Sequence, residues 1–93
     1  MKVNRGIVNE WIEWQKQEHI PEIMATGLFD DHKLFHLFEH DDEESATFTV
    51  QYFTSDMKRY DRYISSFAPL LREKALARWG DQFTGFRSVM KSI

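Results

Sequence analysis

The chain contains no cysteine in 93 residues. That removes a disulfide framework, a thiolate nucleophile and a cysteine-ligated zinc. It has no apolar run near the ~20 residues of a membrane span and no signal-peptide pattern, so a cytoplasmic location without membrane contact is expected. It also lacks a strong basic field: the net charge is −3, which argues against nucleic acid as a partner. Glycine-rich phosphate loops, H-E-x-x-H and G-x-S-x-G are absent as well. No cofactor and no metal is expected. No linker, repeat or low-complexity tract divides the chain, which reads as one domain over residues 1–93.

What is present is aromatic. Eight Phe, three Trp and three Tyr make up 15% of the chain, and 42% is hydrophobic against 29% charged. That composition folds rather than staying disordered, and part of its apolar surface is expected to serve a partner. Charge is unevenly placed: residues 1–50 carry 4 Lys/Arg against 11 Asp/Glu, and residues 51–93 carry 8 against 4. Solvated faces account for this; attraction between the halves, within a chain or across a dimer, is the sharper reading.

Helical spacing of Val8, Trp11, Ile12, Gln15 and His19 predicts a helix over about residues 8–19. Pro21 lacks an N–H and should end or bend it, Pro21 to Ala25 can restart a turn, and Gly27 closes it. Thr47 to Thr54 (TFTVQYFT) has strand composition. Such a strand needs a neighbour. Residues 33–39 supply it, joined through a loop at His40 to Ser45 whose acidic cluster Asp41–Glu44 must stay in water. A second helix is expected from an N-cap at Ser55 to Gly80, broken by Pro69. Residues 82–93 alternate as a last strand.

His32, His36 and His40 would share a helix face and suit a metal, but on a strand the neighbours lie about 13 Å apart, beyond one ion's reach. His19 lies on the apolar stripe where the first helix breaks, either as a helix-end cation or as a pocket base. Gln51 is the one amide in its strand and needs a partner if it points inward. Arg87 stands among apolar residues, as a snorkelling stem, an ion pair or a pocket group. Trp11, Trp14 and Trp79 read as core and interface anchors.

The string EWIEWQKQEHIPEIMATGLF, followed by FTVQYFTSDMKRYDRYISSFAPLLREKALARWGDQFTGFRSVM, resembles the bacterial domain-of-unknown-function family numbered 4286 over about residues 9–90. Its most specific pieces are the block from Trp11 to Glu22, Ala25-Thr26-Gly27, Gln51-Tyr52, Ala68-Pro69 and Phe86-Arg87. The resemblance implies an α+β fold, a ferredoxin-like βαββαβ sandwich with an antiparallel sheet and two helices on one face, similar to dimeric α+β barrels. Relatives by fold hold a ligand between sheet and helices, and on that analogy the candidate pocket residues are His19, Gln51, Arg87, Trp14 and Tyr52. The family pattern starts with a central apolar strand, whereas only Lys2-Val3-Asn4 stand ahead of Arg5 here. A truncated first strand is therefore expected, with the centre of the sheet supplied from upstream, filled by a partner segment, or missing.

Three functions compete. The leading expectation is a small ligand-binding or accessory domain acting as a homodimer through its sheet face. A cofactor-independent, monooxygenase- or cyclase-like enzyme requires His19, Gln51 and Arg87 to converge on one cavity. A protein-interaction module requires an exposed apolar sheet patch on a monomer.

Overall fold

Val3 is completely buried, and its position organises the sheet. The computed structural model describes residues 1–93. In it the chain runs through β1 (Lys2–Asn4), α1 (Val8–Trp14), a π-helical turn (Gln15–His19), α2 (Ile20–Met24), β2 (Asp31–His36), β3 (Ser45–Phe53), α3 (Met57–Ser66), α4 (Ala68–Trp79) and β4 (Phe83–Thr84). The result is a mixed α/β fold around a four-stranded, open antiparallel sheet in the order β2-β3-β1-β4. The truncated first strand thus does form, and it sits at the centre. Three residues suffice because antiparallel ladders hold β1 from both sides, Val3 opposite Ala46 on β3 and opposite Phe83 on β4.

Alternation sorts the sheet into two faces. Val3, Ala46 and Phe48 point to the helices and join Trp11, Trp14, Ala75 and Trp79 in one buried cluster. A second cluster of Ile23, Phe29, Tyr63, Ala68 and Leu71 packs beneath the far end of β3. The opposite face is uncovered. It presents Thr47, Thr49, Gln51 and Phe53 from β3 beside Lys33 and Phe35 from β2, with Phe35 44% and Phe53 41% exposed.

The first helix does not end at Pro21. The amide of Ile20 reaches back five residues to the Gln15 carbonyl, and this wider turn carries the helix past a proline that has no N–H to offer. The second helical region breaks as expected at Phe67, with Pro69 in the first turn of α4. Its N-cap is Asp56 rather than Ser55: the Asp56 carboxylate accepts the Lys58 N–H at 2.8 Å. Gly27 (φ 73°) and Gly80 (φ 60°) close their helices in the left-handed half of conformational space, as expected of glycine.

Two strand expectations are corrected. β2 covers Asp31–His36 instead of 33–39, the chain then turning through Phe38–His40. The last strand stops at Thr84, because β1 offers β4 only Val3 and Lys2 as partners. Residues 85–93 run on without regular structure, with Phe86, Val89, Met90 and Ile93 exposed.

Backbone bonds along β3 alternate between its two neighbours. Along β3 the odd-numbered residues bond toward β2, as in the Leu37 N–H to Thr47 C=O bond of 2.8 Å. The even-numbered ones bond toward β1, as where Phe48 N–H meets the Met1 carbonyl at 2.8 Å. No helix is long and apolar enough to cross a membrane.

Candidate functional site

The π-helical turn brings His19 back over Trp14. The two rings stack at 4.5 Å with an interplanar angle of 20°, a contact five residues apart that an unbroken α-helix would not make. Burial pushes His19 below its ordinary value of 6.5, against a smaller opposing pull from the Glu22 carboxylate. The imidazole is held neutral.

Tyr52 lies on the helix-facing side of β3, its ring 5.4 Å from Phe29, which in turn meets Tyr63 at 5.1 Å. Burial raises both phenols, so each stays protonated. The Tyr52 hydroxyl is buried with no hydrogen-bond partner. Arg87 enters the same neighbourhood from the C-terminal segment. Its guanidinium carbon lies 6.0 Å from the Tyr63 ring centre, and none of the five ion pairs of the fold involves it.

Gln51 is elsewhere. Its parity along β3 is opposite to that of Phe48, so it lies on the uncovered face, across from Lys33. The candidates therefore separate into Trp14 with His19, Tyr52 near Arg87 through Tyr63, and Gln51 on the other side of the sheet. His19, Gln51 and Arg87 line no common cavity. A groove of about 350 Å³ lies between α2 and α4 over Phe67, Leu70 and Leu71, with the Glu22–Lys74 pair of 3.1 Å at its rim. A second groove of about 300 Å³ runs between α1 and Arg78.

Sequence reasoning passed over Gln15. It is the one buried polar residue in the core, 2% exposed, and its amide oxygen has no partner. The indole N–H groups of Trp11 and Trp79 are likewise buried and unbonded. Polar groups that deep are normally satisfied, so the helix-facing layer contains a polar seam. The signal was an amide at helical spacing from Trp11.

The acidic loop does more than stay in water. One oxygen of Asp42 accepts the N–H groups of Glu44 and Ser45 at 2.9 and 2.7 Å and the Ser45 hydroxyl at 3.0 Å. Asp41 accepts the Thr47 N–H at 2.8 Å and meets His36 Nε2 at 2.7 Å. These bonds hold Asp41 below its ordinary value of 3.8 and bring Asp42 down to about 2. His36, stacked on Phe48 at 4.6 Å, thus belongs to the hairpin closure.

Stability should fall in two stages on acidification. His19 is depressed in the fold, so its contribution is complete above 6.5 and declines as the unfolded chain takes up a proton that the folded one resists. Asp41 and Asp42 contribute above 3.8 and lose that contribution as pH drops toward about 2. Melting temperature measured from about pH 8 to pH 2.5 should show both declines. His19→Phe, which keeps the stacking, should abolish only the upper one. An unchanged upper decline in that variant would contradict the assignment.

A family model described as a domain of unknown function (DUF4286) matches residues 1–93, the whole chain. No curated protein and no solved structure matches it.

Proposed function

Taking as premise that the chain belongs to the DUF4286 family, we propose that it is a small cytoplasmic accessory or ligand-binding domain that acts as a homodimer through the uncovered face of its sheet. One observation carries this: the helices cover a single face, and the other presents Phe35 and Phe53 from neighbouring strands. Large apolar groups on an uncovered sheet face are the material of an isologous interface. The strip of Thr47, Thr49 and Gln51 along the same face of β3 is uncharged, and Lys33 lies over the Phe53 ring at 5.8 Å. A two-fold axis through such a strip brings no block of like charge together.

The order β2-β3-β1-β4, reached through β-α-β-β-α-β connections, supports the ferredoxin-like assignment within the mixed α/β class. The net charge of −3 supports a partner other than nucleic acid. The catalytic alternative draws no support from this arrangement, since Gln51 and His19 lie on opposite sides of the sheet.

Sedimentation velocity tests the proposal. The parent chain is expected to be a dimer at about 50 µM, and Phe35→Glu with Phe53→Glu should weaken association by at least about tenfold. The variant's circular dichroism should stay that of the parent, because both side chains are already exposed. A monomeric parent would overturn the proposal and favour the interaction-module reading, and a variant that dimerises equally well would move the interface elsewhere.

A further inference from the structure

We propose that Gln51 meets the partner's Gln51 across the two-fold axis of the dimer, and that this amide pair sets the dimer's register. The inference rests on the homodimer reading above and adds to it the residue that decides how the two faces align.

The pairing of β2 with β3 places Gln51 at the middle of the uncovered face. Phe35 lies opposite Thr49, Lys33 opposite Gln51, and Asp31 opposite Phe53. The two exposed phenylalanines therefore sit on a diagonal whose midpoint is the Lys33–Gln51 pair. An isologous contact that packs Phe35 on the partner's Phe53, and Phe53 on the partner's Phe35, runs its axis through that midpoint. Residues on such an axis meet their own copies.

Lys33 and Gln51 answer that demand differently. An ammonium has donors only and repels its copy. Lys33 is exposed on the edge strand, and its Nζ stands 5.8 Å from the centre of the Phe53 ring, off the line of the axis. Gln51 is half-buried on an interior strand and has no such way out. None of the chain's side-chain hydrogen bonds involves its amide. Closing the face takes that amide out of water, and a buried amide needs a partner. Its own copy supplies one. A carboxamide holds a carbonyl acceptor and N–H donors in one plane, so two of them related by a two-fold axis exchange two N–H···O=C bonds. The reach fits as well: packed sheets stand about 10 Å apart, and a glutamine from each side covers half of that. Phenylalanine contacts alone tolerate a slip of two residues along β3, which keeps every side chain on its face. The amide pair does not.

The test is sedimentation velocity on the full chain and its position-51 variants. Gln51→Glu puts two carboxylates at the axis. Two such groups in contact resist ionising together, so one takes up a proton above the ordinary carboxylate range and then bonds to the other. The variant's dissociation constant should exceed the parent's by at least about tenfold at about pH 7.5, and by less than about threefold at about pH 5. Lys33 and Asp31 on β2 and Lys2 on β1, the charged residues of this face, are shared with the parent, which is the control at each pH. Gln51→Leu should dimerise within about threefold of the parent, but in more than one alignment. Because the chain has no cysteine, a spin label on Arg62→Cys, exposed on α3, reads the distance between copies. One narrow distribution is expected for the parent and a broadened one for Gln51→Leu. A monomeric parent overturns the dimer reading and this inference with it. With a dimeric parent, the amide pair alone is overturned if Gln51→Glu associates like the parent or is weakened alike at both pH values, or if the Gln51→Leu distribution stays as narrow.

Discussion

Replacing Trp11 by alanine is expected to lower the stability of the fold by about 3–5 kcal/mol, the usual cost of deleting a buried tryptophan side chain. Trp11 is completely buried. Its ring lies 5.2 Å from Phe48 and 5.7 Å from Phe83, so it joins the centre of the sheet to its β4 edge. A domain of this size has about 5–15 kcal/mol in total, and the loss is therefore a large share of it. Urea unfolding should show a much lower midpoint with an unchanged slope. Trp11→Phe should cost clearly less than alanine. It keeps an aromatic ring against Phe48 and removes an indole N–H that is buried without a partner. Equal losses for the two substitutions would mean that the N–H is satisfied in solution.

Gln15→Met is expected to do the opposite and stabilise the protein by about 1–3 kcal/mol. An unpaired buried acceptor carries a desolvation cost of that order, and methionine has a similar unbranched shape that suits an irregular core. Each kcal/mol corresponds to roughly 4–8 °C in melting temperature for a domain of this length, so the effect is easily resolved by calorimetry. Destabilisation instead would show that the Gln15 amide holds a buried hydrogen-bond partner in solution, and the polar seam it shares with the helix-facing layer would become the first place to seek a ligand.

Much of the fold is legible in the residues. TFTVQYFT is the long central strand, Pro69 breaks the second helical region, and Gly27 and Gly80 end their helices. In the same strand Thr47, Thr49 and Gln51 share one parity while Phe48, Val50 and Tyr52 share the other. Gln51 facing away from the helices is therefore readable from alternation alone, although a lone amide invites an inward reading. Other features depend on context. Whether Lys2–Asn4 forms a strand is decided by two ladders from distant parts of the chain. Asp56 displaces Ser55 as the cap because its extended backbone turns the carboxylate onto the Lys58 N–H. The stacking of His19 on Trp14 escapes any period of 3.6, since it needs the five-residue step that only the wider turn supplies.

That wider turn has a consequence for how this protein can vary. Lys16, Gln17 and Glu18, the residues between the buried Gln15 and the partly buried His19, are all exposed, so their side chains contribute little to packing. The wider turn holds one residue more than an α-helix needs to turn through about the same angle. With one residue fewer, the five-residue step would close to the ordinary four-residue one, and the helix beyond would keep its facing. Ile23 would stay in the second cluster, while the imidazole would lose the five-residue step that stacks it on Trp14. This stretch should therefore accept nearly any substitution and even a single deletion, which a helix without such a turn would not.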